Sequence, residues 1–335
     1  MSEEIRIKSS SGAYPIYLGR GLLGDLDKFI DSQRKILIVT DSGIPEEYLK
    51  KVCQSVKTTE IFVLDRGENS KSFESYKKII SRMIGSEFSR RDAVIALGGG
   101  MVGDIAGFAA STYMRGIDFY NIPTSLLAQV DSSVGGKTAI NIDGIKNQVG
   151  TFYPPKAVII DTDTLGTLDK DLKAEGLAEA IKMAACLDKD FFEVLENGNA
   201  FSNIEETIYR AISLKAGVVE KDEKEGGYRK VLNFGHTIGH ALELQGGLYH
   251  GQAVGLGMIA ESSGQAQKRI IKILEKHGLP TDCKIDRERV KNSLKHDKKL
   301  SEKGITTVLV GEIGRFTFKD LTEADLLGLI DKIGG

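Results

Sequence analysis

A chain of 335 residues with 45 Lys and Arg against 47 Asp and Glu is long enough for about two domains, and its net charge of −2 supplies no cation excess to draw it onto a phosphate backbone. Its three cysteines, Cys53, Cys186 and Cys283, are odd in number, widely spaced and lack CxxC spacing, so they suggest neither a disulfide framework nor a cysteine zinc site and read as reduced thiols. The polar, acidic start MSEEIRIKSSSG and the lack of any apolar run of about 18 residues point to a cytoplasmic protein that binds neither nucleic acid nor membrane.

Short β-branched runs alternate with helical stretches through the first half. Lys35–Thr40, Ile61–Leu64, Ala93–Leu97, Phe119–Ile122 and Ala157–Ile160 read as strands, with segments such as Ser72–Ile84 between them. Strands so continuously apolar are buried on both faces, as in a parallel sheet, and the expected class is α/β, with ligands at the carboxyl ends of the strands. Beyond about Leu168 the period becomes helical, over Ala174–Cys186, Ile204–Val219, His236–Leu244, Ala253–Ala266, Arg269–His277 and Ala324–Ile333. Ile305–Val310 and Arg315–Phe318, separated by Gly-Glu-Ile-Gly, read as a hairpin. The expected domains are 1–167 and 168–335, with the active site in the cleft between them.

Ala93–Leu97 runs into Gly98-Gly99-Gly100-Met101-Val102-Gly103-Asp104 and then an alanine-rich helix. Bare N–H groups at such a helix start can approach a pyrophosphate, and Gly98, Gly100 and Gly103 satisfy GxGxxG, but a tight turn has the same look. Asp41 closes the preceding strand, either as an acceptor for ribose hydroxyls or as the cap of the helix announced by Pro45-Glu46-Glu47. Gly67–Lys71 follows the next strand and reads equally as an ordinary loop. Asp131–Thr138 ends in Gly-Lys-Thr, but Asp131 stands where a phosphate-binding loop needs glycine, so that motif is rejected.

Three of the five histidines cluster, in Asn233-Phe234-Gly235-His236-Thr237-Ile238-Gly239-His240 and Tyr249-His250-Gly251. His236 and His240 share one helix face, as paired imidazole ligands do, with a carboxylate from elsewhere; periodicity does not choose two ligands among three histidines. Glu175 and Glu179 are also i, i+4, and the apolar setting of Gly176–Lys182 marks Glu179 and Lys182 as buried or functional, with Glu179 the better ligand candidate.

Together these runs, with Arg115-Gly116, Pro123–Thr138, Lys146-Asn147, Glu179-x-x-Lys182, Leu232–Ala241 and His250-Gly251-x-Ala253-Val254, closely resemble the 3-dehydroquinate synthase family of sugar-phosphate cyclases. The match covers about 36–310 in family order, and Asp-Ser-Ser-Val-Gly-Gly-Lys-Thr is highly specific. The resemblance implies an N-terminal Rossmann-like parallel-sheet domain followed by a mainly α-helical metal-binding domain. It also implies conversion of 3-deoxy-D-arabino-heptulosonate 7-phosphate to 3-dehydroquinate and phosphate, in the shikimate pathway of aromatic amino-acid biosynthesis. The implied steps are transient oxidation by NAD, phosphate elimination, re-reduction, ring opening and an intramolecular aldol closure.

By the same resemblance Glu179, His236 and His250 hold one divalent metal ion, zinc or cobalt, while Lys182, His240, Asp131 and Asn233 serve the substrate hydroxyls and proton handling. Arg115, Lys137, Asn147 and Lys298 match the phosphate subsite, Arg115 reaching in from the second subunit of a homodimer, and Lys215 and Arg229 match the carboxylate side. Asp41, Glu68, Lys71, Gly99, Gly100, Asp104, Thr124, Ser125, Lys146 and Thr167 match the NAD contacts, whose acids would repel a 2′-phosphate. Two departures bear on these roles. Gly144-Ile145-Lys146-Asn147 shifts the family's glycine by one residue, and Thr167-Leu168-Asp169-Lys170-Asp171 replaces its usual Thr-Leu-Pro-x-Arg. Lys298 and Lys299 compete for one role, and a related cyclase or a metal-dependent polyol dehydrogenase is the rival reading.

Overall fold

The computed structural model describes residues 3–9, 12–295 and 304–333. The chain divides into two compact units, Met1–Asp169 and Lys170–Gly335. No helix among the described residues is long and apolar enough to cross a membrane.

The first unit runs β1 (Glu3–Ser9), β2 (Gly12–Gly19), β3 (Lys35–Asp41), α1 (Glu46–Gln54), β4 (Thr58–Leu64), α2 (Phe73–Gly85), β5 (Ala93–Gly98), α3 (Gly100–Thr112), β6 (Asp118–Pro123), β7 (Lys137–Ile142), β8 (Ile145–Phe152) and β9 (Ala157–Asp161). Among the described residues seven strands form one sheet in the order β1-β2-β9-β6-β5-β3-β4. All neighbours pair in parallel except the edge pair β1 and β2. The continuous apolar runs have a simple cause. Leu37, Val39, Val94 and Ala96 face one core with Ile79 and Met83 of α2 and Val102, Ile105 and Ala106 of α3. Ile36, Ile38, Ile95 and Leu97, the alternate residues of the same strands, face a second core with Leu22, Leu23, Tyr48 and Val52.

The five expected strands are β3, β4, β5, β6 and β9. Sequence reading missed β1 and β2, and the separate β7–β8 hairpin, because β8 is exposed along its whole length and shows no buried alternation. A signal was present at the tip: Asp143-Gly144, both at positive φ (52° and 76°), is the two-residue turn that matches strand twist.

The second unit runs α4 (Lys170–Leu187), α5 (Lys189–Asn197), α6 (Ile204–Lys221), α7 (His236–Gln245), α8 (His250–Ala260), α9 (Gly264–Lys276), α10 (Arg287–Lys295), β10 (Ile305–Glu312), β11 (Arg315–Leu321) and α11 (Glu323–Ile330). From Glu175 to Cys186 every residue of α4 is buried, so it is the central rod of the unit rather than a surface helix. The expected helix Ala253–Ala266 is broken after Ala260. There Ser262 bridges Val310 of β10, Ser263 N–H donates to the Val310 carbonyl (3.1 Å), and Val310 N–H donates to that of Glu261 (3.2 Å). Those strand-like bonds take backbone groups the helix would have used, and α9 restarts at Gly264 with φ +60°. The short α5, missed in sequence, starts where the Asp188 carboxylate accepts Phe191 N–H at 2.9 Å.

Helices α7 and α8 cross at backbone contact. A Cβ at Gly257 would lie 1.9 Å from the Gly235 carbonyl oxygen, and one at Gly239 2.9 Å from that of Ala253. Gly257→Ala is therefore expected to destabilise the protein by about 1–3 kcal/mol or more, since backbone cannot yield as a side chain does. Gly217→Ala, on exposed α6 surface with nothing within 4 Å of a new Cβ, should instead stabilise by about 0.5–1 kcal/mol. Urea unfolding of both variants checks the contrast.

Candidate functional site

In the helical unit, α4 carries Glu179 and Lys182 one turn apart in an apolar interior, with side chains 1% and 2% exposed. His236 and His250 are the first residues of α7 and α8. Each helix start is held by a buried carboxylate. Glu261 accepts the N–H groups of Gly235 (2.6 Å) and Ile238 (3.2 Å), and Glu175 accepts that of Gly251 (3.4 Å). The imidazoles are thereby set by backbone, with Nε2 of His236 and His250 lying 3.7 and 3.6 Å from Glu179 Oε1. The remaining ring nitrogens are engaged as well: His236 Nδ1 with the Phe234 carbonyl (3.2 Å) and His250 Nδ1 with Glu243 Oε2 (3.0 Å).

The charges follow from this packing. Burial alone would raise the Glu179 carboxyl, but the Lys182 ammonium, then His236 and His250, outweigh it and hold it well below the usual carboxylate range. Burial, and then Lys182, push His236 well below the ordinary histidine value, so it is neutral. At His250 burial opposes the charge, yet the bonds to Glu179 and Glu243 prevail and push it up to about 10. Burial raises Glu175, against the Gly251 N–H.

The donors of Glu179, His236 and His250 lie within 4.8 Å of one another. Both Glu179 oxygens are buried and accept no well-formed hydrogen bond, although Oε2 touches the Lys182 ammonium. One carboxylate and two imidazoles with converging lone pairs fit a zinc-like divalent ion and leave coordination positions open for a ligand. His240, one turn along α7, is exposed, with its ring 5.2 Å from His236 and 6.0 Å from His250. The structure thus gathers all three histidines, but only His236 and His250 reach Glu179.

Lys215 of α6 and Arg229 are buried in the same unit. Arg229 Nη1 donates to the Glu223 carbonyl (2.5 Å), and Asn233 Nδ2 donates to Glu225 Oε1 (3.0 Å). The Asp222 carboxylate ties this loop by accepting N–H groups from Gly226, Gly227 and Arg229, which hold its pKa down. Lys298 lies outside the described residues, as does Lys299. Glu243 and Glu261 were missed in sequence, Glu261 because it sat inside a presumed helix.

In the α/β unit the loops after β3, β4, β5 and β6 share the carboxyl edge of the sheet, where Asp41 pairs with Leu64 and Gly98 with Pro123. Asp41 Oδ1 accepts Gly43 N–H at 2.7 Å; the residue closes a turn and does not cap α1, whose cap is Pro45. A Cβ would meet Val102 at 2.6 Å from Gly98 and Ser132 Oγ at 2.8 Å from Gly100. Only bare backbone fits there, and α3 begins on it, so its first N–H groups have no helical partner. Thr124 N–H donates to the Gly98 carbonyl (3.0 Å), and Ser125 Oγ stands 3.5 Å from a Gly99 Cβ. That cradle suits a dinucleotide pyrophosphate.

Lys71 is buried, ion-pairs with Asp104 and donates to Asn147 Oδ1, while Glu68 accepts from Asn141 (2.8 Å). Asp104 and Lys137 line a small cleft with Ser132, Ser133 and Asn121; Asp131 lies in the turn just before. Lys137 opens a strand, not a helix, which bears out rejection of a phosphate-binding loop. Lys146 is exposed on β8, and Thr167 Oγ1 meets the Tyr48 hydroxyl at 2.9 Å. Arg115 is exposed at the far end of α3 with φ +69°, remote along that helix from the glycine turn.

A parallel α/β unit with a glycine cradle, followed by a helical unit with a carboxylate–bis-imidazole cluster, defines the class of two-domain, dinucleotide- and metal-dependent enzymes. The chain belongs to the 3-dehydroquinate synthase family: the models of its N-terminal and C-terminal domains match residues 61–175 and 176–300. It is 40% identical to the 3-dehydroquinate synthase of Desulforamulus reducens, over 98% of this chain and 99% of that one. Identity to the Streptococcus thermophilus 3-dehydroquinate synthase is 39%, over 99% and 100%. Among solved structures it is similar to 2-deoxy-scyllo-inosose synthase complexed with carbaglucose-6-phosphate, NAD+ and Co2+ (27% identity, TM-score 0.89, 98% and 99% covered). It is also similar to 2-epi-5-epi-valiolone synthase from Streptomyces hygroscopicus with NAD+ and Zn2+ bound (25%, TM-score 0.86, 96% of each chain). A glycerol dehydrogenase from Schizosaccharomyces pombe shares the fold at 14% identity and TM-score 0.66, over 99% of this chain and 91% of that one.

With Glu179 already ionised and His236 already neutral, metal uptake near pH 7 must displace about one proton, that of His250. Zinc affinity is expected to rise about tenfold per pH unit from pH 6.5 to 8.5, below the His250 value of about 10. Proton release in weakly buffered solution, recorded as zinc is added, checks this; none released would contradict it. His250→Ala should lose the metal and His240→Ala should retain it, by metal analysis of the purified variants.

Proposed function

We propose that this chain is a 3-dehydroquinate synthase, converting 3-deoxy-D-arabino-heptulosonate 7-phosphate to 3-dehydroquinate and phosphate as a cytoplasmic homodimer, with NAD and one divalent ion, zinc or cobalt. The observation that carries the reading is the convergence of Glu179, His236 and His250 in a chain matched along both units by this family. When bound, the ion supplies Lewis-acid polarisation of substrate hydroxyls and NAD supplies a reversible hydride acceptor.

The chain's own residues do the rest. Lys182 keeps Glu179 ionised and fixed, and in this reading its ammonium also serves a substrate hydroxyl. His240, exposed beside the two half-buried imidazoles, accepts and returns protons at the substrate, with Asp131 and Asn233 orienting the hydroxyls. Lys215 and Arg229 hold the substrate carboxylate, while Lys137, Asn147 and Lys298 hold the phosphate at the other end, so that two anions fix one orientation. The exposure of Arg115, away from its own unit's glycine turn, supports a role in the neighbouring subunit's phosphate subsite. Gly99 and Gly100 admit the pyrophosphate with Thr124, Ser125 and Lys146 about it, Asp41 and Glu68 accept from ribose hydroxyls, and Thr167 closes the contact set. Lys71 bonds Asp104 and Asn147 together, so a residue of the NAD set also holds one of the phosphate set.

Purified protein given the heptulosonate phosphate, catalytic NAD and zinc should release phosphate with no net NADH. A polyol dehydrogenase of this fold would accumulate NADH in proportion to turnover, and that result would sink the cyclase assignment. Lys215→Ala and Arg229→Ala should each raise the KM for substrate about tenfold or more, roughly 1.4 kcal/mol, without weakening NAD binding.

A further inference from the structure

His250 is held from two sides. Its Nε2 faces Glu179 Oε1 at 3.6 Å, and its Nδ1 lies 3.0 Å from Oε2 of Glu243, a carboxylate 18% exposed. Glu243 stands on α7, one turn past His240, so the contact ties a ring at the start of α8 to the helix that His236 begins. The neighbouring His236 has the same arrangement with a different acceptor, the Phe234 carbonyl at 3.2 Å from Nδ1. An acceptor on Nδ1 fixes the imidazole tautomer, aims Nε2 and strengthens its lone pair.

We infer that Glu243 is a positioning residue for the metal: it accepts the Nδ1–H of His250 and aims Nε2 at the ion, without ligating the ion itself. This rests on the reading of Glu179, His236 and His250 as ligands. His240, Glu243 and His250 also offer donor atoms within 4.8 Å of one another, which makes Glu243 as a ligand the competing arrangement. The 3.0 Å contact argues against it, because it is the distance of a direct hydrogen bond between Nδ1 and the Glu243 carboxylate. A nitrogen that donates a hydrogen bond to Glu243 has no lone pair left for an ion.

The test starts from zinc-loaded protein and measures zinc affinity by competition with a chromophoric chelator, for wild type, Glu243→Gln, Glu243→Ala and His250→Ala, with thermal unfolding of each. Glu243→Gln keeps an oxygen that accepts Nδ1–H and should bind zinc within about threefold of wild type. Glu243→Ala should lose about 10- to 100-fold in affinity. Wild-type affinity in Glu243→Ala overturns the inference, and so do equal losses in the Gln and Ala variants, which would make Glu243 a ligand or a bare charge. Should the Ala variant not fold, the Gln variant decides by itself: in ¹⁵N-histidine spectra of the zinc-loaded protein, a retained His250 Nδ1 proton supports the role and its loss overturns it. Full zinc affinity in His250→Ala would instead remove the ligand reading on which the inference stands, and is thereby distinguished from failure at Glu243.

Discussion

A carboxylate buried in the middle of an apolar helix is the demand around which the helical unit is organised. Glu179 loses its water when α4 becomes the central rod, and an isolated charge there would cost several kcal/mol unless neutralised or compensated. Compensation comes from Lys182 one turn along and from two imidazoles brought to one oxygen by α7 and α8. Those rings meet Glu179 because both helices start at the histidines and because glycines let the helices cross at backbone distance. Close packing and site geometry are therefore one constraint.

Burying a helix start creates a second demand, since its first N–H groups have no partner within the helix. Glu261 and Glu175 meet it for α7 and α8. The break of the expected long helix after Ala260 belongs to the same arrangement. The residue that ends α8 is Glu261, and the backbone around it joins β10 while its side chain caps α7. In the α/β unit the corresponding principle is steric. The glycine turn is bare because Val102 and Ser132 already fill the space a Cβ would need, and that bareness leaves N–H groups open to an anion.

Much of this was legible in the residues. Four of the five expected parallel strands, β3, β5, β6 and β9, announced themselves as apolar runs because burial on both faces removes alternation, whereas β4 lies at the sheet edge with Ile61 and Val63 exposed; the α4 helix showed itself by charges stranded among alanines and leucines. The β7–β8 hairpin did not, since an exposed strand carries no burial signal, although its Asp143-Gly144 turn was a usable one. Asp41 read evenly between a cap and a ribose acceptor; in the fold its carboxylate closes a turn to Gly43 and Pro45 takes the cap position.

The sequence by itself determined the class of fold, the separation into a sheet half and a helical half, and the residue types available for chemistry, because periodicity and composition are local properties. Which histidines converge on Glu179 was a tertiary matter. Helical spacing pairs His236 with His240, whereas the metal-like pair is His236 with His250, joined across two helices whose crossing no local pattern encodes. The partners Glu243, Glu261 and Glu175 were likewise settled only in three dimensions, since a carboxylate's role depends on which nitrogen the fold sets within hydrogen-bond reach.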